Sequence, residues 1–375
     1  MNRTITTVKR AAAFAICAAV FFTSVFRLSA QTMYWEDPVR ITKGDACFPR
    51  VATDGMKNYV FWQEIDTRSE TIWLSCQYTD ARGVRQTNSR FVGPFPYSGR
   101  IPDIYSVALS KKGTITVAVL SGTKSLSILT STDGGAHFTE ADIPYYTEPF
   151  VAPQIYATGR GTFMLFTSLG QNASFAMYTA SSPDGFSWSG FSPFMPSVSL
   201  INPFIPVFTS MPKNDAVVLQ AQYISGNRIS YQLYGTFSSD AGTTWSEPLL
   251  LTDEASLASD DTRNFSVYHN QRPVLFTQSG ITYIAWERTY YASENSHIWI
   301  AELTKDGIVP GTAKQISGEG NANRAVLFSF NAMLSAVWFD TRSGVETVRM
   351  AQKKGPLWEE TAISSGRVPS LFAFP

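Results

Sequence analysis

Three short segments put a carboxylate into a glycine turn: Ser-Thr-Asp-Gly-Gly-Ala-His-Phe at 131–138, Ser-Ser-Pro-Asp-Gly-Phe-Ser-Trp at 181–188 and Ser-Ser-Asp-Ala-Gly-Thr-Thr-Trp at 238–245. Carboxylates are common general acids and bases. The local chemistry of these turns favours another role. An Asp side chain accepts hydrogen bonds from backbone N–H groups of its own turn. Glycine supplies the positive φ that a side chain would oppose, and an aromatic residue buries a large apolar surface beneath. Ser131, Asp133, Gly135 and Phe138 are therefore expected to staple the first turn. Asp184, Gly185 and Trp188 would staple the second, and Ser238, Asp240, Gly242 and Trp245 the third.

A second polar set follows tryptophan-bearing apolar segments. It comprises Asp66 with Arg68, Glu287 with Arg288, and Asp340 with Arg342. The segments at 62–69 (WQEIDTRS) and 338–343 (WFDTRS) are nearly one device. Each pair is expected to order its loop as an ion pair. A sharper reading makes them a polar platform on which exposed Tyr290 and Tyr291 stack a ligand. His137, His269 and His297 lack metal-ligand spacing, so no metal and no cofactor is expected. Cys47 and Cys76 fall in strand-like segments of one repeat, where buried free thiols are common. They are expected to stay unpaired.

The elements that position these groups repeat. A polar residue, often followed by proline, leads into an alternating strand at 48–55, 100–113, 152–161, 204–215, 272–280 and 324–332. A second apolar strand and then a third follow, divided by Gly-, Asn- and Asp-containing turns, as strand reading requires. A fourth often opens on an aromatic residue, as at 245–252 and 357–364. One four-stranded sheet cannot cover both of its apolar faces, and stacking such units in a ring does. The expected fold is all-β: a β-propeller of four-stranded antiparallel blades, with six blades favoured and seven possible. A β-sandwich is the rival architecture. Residues 34–42 read as a strand that would close the ring, and 367–375 as the start of a further unit.

Composition narrows the function. Thirty basic residues balance thirty acidic ones without a basic stripe, so nucleic acid is not an expected partner. Aromatic residues at 14% against only 16% charged residues favour strands. Arg3, Lys9 and Arg10 precede an uncharged apolar run at 11–26 and a small residue, Ala30. That order reads as a cleaved signal peptide over 1–30, leaving a single propeller domain at 31–375 and no membrane span after cleavage. The apolar run is short against the about 20 residues that a bilayer span needs. Export is expected, to a periplasmic, cell-surface or secreted location.

The three turns resemble the Asp boxes of the sialidase superfamily. The segment 238–245 matches the S-x-D-x-G-x-x-W pattern in full, 131–138 carries Phe138 at the aromatic position, and 181–188 is shifted by one residue. The resemblance implies that the boxes lie away from the active site. It also implies three arginines that hold a substrate carboxylate, the first in an R-I-P motif. Here that motif is Arg100-Ile101-Pro102, and Arg272 and Arg324 open later repeats. Guanidinium groups suit the task through bidentate contacts. The catalytic remainder is incomplete. No Asp occurs between Ser106 and Thr132, and no Tyr follows Tyr291; Glu254 and Glu287 are the only carboxylates put forward for the glutamate's role. The expectation is a propeller that binds a carbohydrate or protein ligand through Arg100, Arg272 and Arg324 without turnover. The alternatives are an active sialidase-type glycoside hydrolase and a structural module of an envelope assembly.

Overall fold

Alternating apolar residues separated by tight turns fold each repeat into consecutive antiparallel strands, the local outcome of a period of two. In a computed structural model the described residues are 41–42, 44–54, 56–80, 89–120, 125–143, 150–169, 176–194, 200–225, 228–252, 268–290, 295–330 and 332–365. The chain divides into a unit Met1–Ile41 and a unit Thr42–Pro375. The second unit holds every strand named below. The expected signal peptide, the strand read at 34–42 and the tail at 367–375 lie wholly or almost wholly outside the described residues.

Sheet 1 contains β1 (Asp45–Thr53), β2 (Lys57–Asp66), β3 (Thr71–Asp80) and β4 (Ser89–Pro96). Sheet 2 contains β5 (Tyr105–Leu109), β6 (Ile115–Leu120), β7 (Leu126–Ser131) and β8 (Thr139–Glu140). Sheet 3 contains β9 (Phe150–Ala157), β10 (Phe163–Leu169), β11 (Ala176–Ser182) and β12 (Ser192–Pro193). Sheet 4 contains β13 (Ile201–Ser210), β14 (Asp215–Ser225), β15 (Arg228–Ser238) and β16 (Leu249–Leu250). Sheet 5 contains β17 (Tyr268–Gln278), β18 (Ile281–Tyr290), β19 (Ser296–Thr304) and β20 (Gly307–Ile308), with β21 (Lys314–Gln315) also pairing with β19. Sheet 6 contains β22 (Ala322–Phe330), β23 (Met333–Asp340), β24 (Thr347–Lys354) and β25 (Leu357–Ser365). Among the described residues there is no helix. Six four-stranded meanders stacked in chain order form a β-propeller, as the repeats predict.

The core lies between sheets. Phe61 and Leu74 meet Ile115 and Val117 between sheets 1 and 2, and Ile128 meets Leu165 between sheets 2 and 3. Phe166 meets Val217 between sheets 3 and 4, Leu233 meets Trp286 between sheets 4 and 5, and Ile298 meets Trp338 between sheets 5 and 6. Trp62, Trp286 and Trp338 are almost completely buried. A side chain of this size removes roughly 200 Å² from water, worth on the order of 5 kcal/mol at about 25 cal/mol per Å².

The three turns share one bonding scheme. Ser131, Ser182 and Ser238 each donate to the turn's Asp and accept the N–H of Gly135, Gly185 or Gly242. Asp133 and Asp240 accept the N–H four residues on, at His137 and Thr244. Asp184, one place closer to its glycine, accepts those of Phe186 and Ser187. The turns also join neighbouring sheets. A Cβ on Gly242, at φ +84°, would stand 2.5 Å from Met164 Sδ of sheet 3, and Thr130 of sheet 2 donates to Gly185 O at 2.7 Å. Cys47 and Cys76 are free thiols. Burial pushes them up to about 11 and about 12, respectively.

Candidate functional site

The site is built on a bulge that recurs at the start of the first strand. In sheet 5, Gln271 pairs with Glu287 and Val274 with Ala285, so Arg272 and Pro273 together face Trp286 alone. Phe48–Pro49 faces Trp62 and Arg324–Ala325 faces Trp338 in the same way. Two residues opposite one define a β-bulge, which re-aims the side chain that it displaces. The first bulge residue has positive φ each time: 48° at Phe48, 49° at Arg272 and 54° at Arg324. That conformation is unusual outside glycine and concentrates at functional sites.

In sheets 1, 4 and 5, where the first strand bulges opposite Trp62, Leu219 and Trp286, the next residue on the second strand braces the following sheet. Gln63 accepts the N–H of Ile104 at 2.9 Å and donates to Pro102 O at 2.9 Å. Gln220 accepts the N–H of Arg272 at 2.7 Å. Glu287 takes the N–H of Arg324 on one carboxylate oxygen. Its other oxygen receives Arg272 Nη1 at 2.5 Å. The side chain of Glu287 is 1% exposed and that of Arg272 is 56% exposed. A buried carboxylate thus fixes the root of a guanidinium that faces solvent. Burial raises the Glu287 pKa above its ordinary value, and the Arg272 charge opposes the rise. Behind the bulge, Trp286 Nε1 donates to Asn270 at 2.8 Å, and Asn270 donates to Gln232 at 2.8 Å.

Arg272 and Arg324 are thus brought together, one on each side of Glu287. Arg100 is not joined to them. It is exposed, precedes β5, and has no hydrogen bond or ion pair among the described residues. The backbone position matching Arg272 and Arg324 in sheet 2 is Ile104, as the Gln63 bond shows. Glu254 and Tyr291 lie outside the described residues. Tyr290, expected to be exposed, is half-buried against Tyr268 with ring centroids 5.6 Å apart.

The expected loop-ordering ion pairs form once. Arg342 grips Asp340 with Nε at 2.8 Å and Nη2 at 2.6 Å, and Glu360 joins Arg342 to Arg349. Burial would raise Asp340, but its bonds from Arg342 and Trp338 outweigh that and hold it below the usual carboxylate range. Asp66 instead accepts the N–H groups of Arg68 and Ser69. Arg288 is buried with its guanidinium 4.1 Å from the centroid of Tyr268. Glu287 and Arg288 are consecutive in β18 and so point to opposite faces of the sheet, whereas Arg342 folds its guanidinium back onto Asp340.

Two features of the site are not legible in the sequence. Asp103 directly follows the Arg-Ile-Pro motif, pairs with Arg50 of sheet 1, and has its pKa raised by burial against the pull of that arginine. Arg50 also lies 5.5 Å from the centroid of Tyr105. The bracing role of Gln63, Gln220 and Glu287 is the other. Its trace in the sequence is a polar residue at one place in otherwise apolar second strands.

No protein-family model matches the chain, and no curated protein matches it. Solved structures do. The ulvan lyase of polysaccharide lyase family PL25 superimposes with a TM-score of 0.58 at 11% identity, over 84% of this chain and 82% of that one. The polysaccharide lyase Uly1 gives 0.56 at 13% identity, over 90% and 84%. A protein of unknown function from Dyadobacter fermentans DSM 18053 gives 0.52 at 13% identity, over 79% and 90%. At these identities the likeness is one of fold. Among the described residues no group of three His, Cys, Asp or Glu side chains could hold a metal ion, and no helix is long and apolar enough to cross a membrane.

Proposed function

We propose that the chain is an exported, sialidase-like propeller that binds a carboxylate-bearing carbohydrate at Arg272 and Arg324. The observation that carries this reading is the exposed Arg272 guanidinium anchored on buried Glu287, beside a second exposed arginine at the equivalent bulge. A preorganised guanidinium loses less freedom on binding than a loose one. The polysaccharide lyases of similar fold support a carbohydrate as ligand. The N-terminal charge and apolar pattern supports export, and the three turns support the sialidase likeness. Binding is favoured over turnover because both oxygens of Glu287 are engaged. The test is calorimetric titration with a uronate trisaccharide and with a neutral trisaccharide. Binding of the uronate alone, weakened at least tenfold by Arg324→Ala, is the expected result; equal binding of both sugars would refute it.

One observation favours hydrolysis. Asp103 holds its proton more tightly than an ordinary carboxylate and sits at the opening of sheet 2, which suits a general acid. Turnover of a fluorogenic sialoside that is lost in Asp103→Asn would establish that reading in place of binding.

A further inference from the structure

The end of each sheet away from Arg272 carries the hairpin that joins its first two strands. In three consecutive sheets this hairpin bears an exposed cation: Lys111 in sheet 2, Arg160 in sheet 3 and Lys213 in sheet 4. All three line one cavity of about 380 Å³, with Ser210, Asp215 and Thr277 among its other walls. None of the three has a carboxylate partner among the described residues, and the one bond that Arg160 makes goes to Ser239 O at 3.4 Å. Asp215, a wall of the same cavity, is 5% exposed, accepts the Ser210 hydroxyl at 2.8 Å and forms no ion pair with any of the three among the described residues. Elsewhere the cations of this molecule often meet an acid, as in Arg50–Asp103, Arg342–Asp340 and Lys354–Glu359.

The hairpins hold their cations on a fixed frame. Gly113 N–H donates to Ser110 O at 2.9 Å and Gly161 N–H to Thr158 O at 3.0 Å, with both glycines in the left-handed region. Gly159 N–H donates to Ser210 across the sheet 3–4 boundary at 2.6 Å. Three positive charges against one buried carboxylate, around a hydroxyl-bearing cavity, attract anionic oxygens and are screened by salt. Arg272 lies six residues from Gln278 along β17, or about 20 Å at roughly 3.3 Å per residue, so this cavity and the arginine pair are separate sites.

We propose that the cavity binds sulfate or carboxylate groups of an acidic chain through Lys111, Arg160 and Lys213. The test measures binding of dextran sulfate, with neutral dextran as the blank. It compares the full chain with a Lys111→Gln, Arg160→Gln, Lys213→Gln variant. A Lys305→Gln, Lys314→Gln, Lys354→Gln variant removes the same charge elsewhere, and Arg272→Ala tests the other site. Thermal melts confirm that each variant folds. The expected result is a loss of tenfold or more in the first variant, under twofold in the Lys305, Lys314 and Lys354 variant, a smaller loss in Arg272→Ala than in the first variant, and weaker binding at higher salt. Competition by millimolar inorganic sulfate would support recognition of a single group, and its failure to compete would support recognition of repeated charges along a chain. Equal weakening by both triple variants, loss in Arg272→Ala instead, or no binding by the unaltered chain would overturn the proposal.

Discussion

The boundary between sheets 1 and 2 and the boundary between sheets 5 and 6 use one brace with different chemistry. At the first, Gln63 makes two neutral bonds to the next sheet. At the second, Glu287 makes the matching bond to Arg324 and also holds Arg272. One charged oxygen in place of an amide nitrogen turns a structural clasp into an anchor for an exposed guanidinium. A repeat architecture permits this, since each boundary is packed locally and can diverge alone.

The largest expected effect comes from deleting the charged brace. Glu287→Ala leaves the part-buried Arg324 N–H without its acceptor and releases the exposed Arg272, and each hydrogen bond to a charged group is worth about 1.5–3 kcal/mol. Denaturant unfolding would measure it, and a loss below that of Gln63→Ala would break the comparison. Gln63→Ala removes neutral bonds only and is expected to cost about 1–3 kcal/mol. Gly242→Ala tests the turns in the same range, about 1–3 kcal/mol, because the new methyl meets Met164 at positive φ. Glu287→Gln should cost less than either alanine change at the brace, since Gln already occupies this position at 63 and 220.

The smallest effect is one of pH. Backbone and side-chain bonds from His137 hold Asp133 well below the usual carboxylate range, and bonds from Thr244 hold Asp240 at about 2. An unfolded Asp titrates near about 3.9, so the unfolded chain binds more protons between these values. Stability from the turns is present above the unfolded value and falls as pH drops toward the folded one. Both carboxylates are exposed, so the loss is modest. Asp240→Asn should flatten the acid limb of a melting curve taken between pH 5 and pH 2; an unchanged limb would refute the staple role.

Much of the fold was legible because strand alternation and glycine turns are local signals. The six repeats became six sheets, and the serine, aspartate and glycine of each box bond within one turn. The site was legible only in part. Arg272 and Arg324 could be matched because each opens a repeat, but Arg100, also read as an opening residue, stands four residues ahead of the matching place, Ile104. Sheet 2 lacks the bulge, and its first strand pairs without a register shift only from Tyr105, so residues 100–103 lie ahead of the strand. Asp103 was passed over because its partner, Arg50, lies in another sheet.

The central claim is that Glu287 serves ligand binding only through Arg272. A double-mutant cycle on uronate trisaccharide affinity tests it, using Arg272→Ala, Glu287→Gln and both together. The account predicts that all three variants lose the same tenfold or more, which is about 1.4 kcal/mol of binding. Losses that add, or a Glu287→Gln variant that binds as tightly as the unaltered chain, would contradict it.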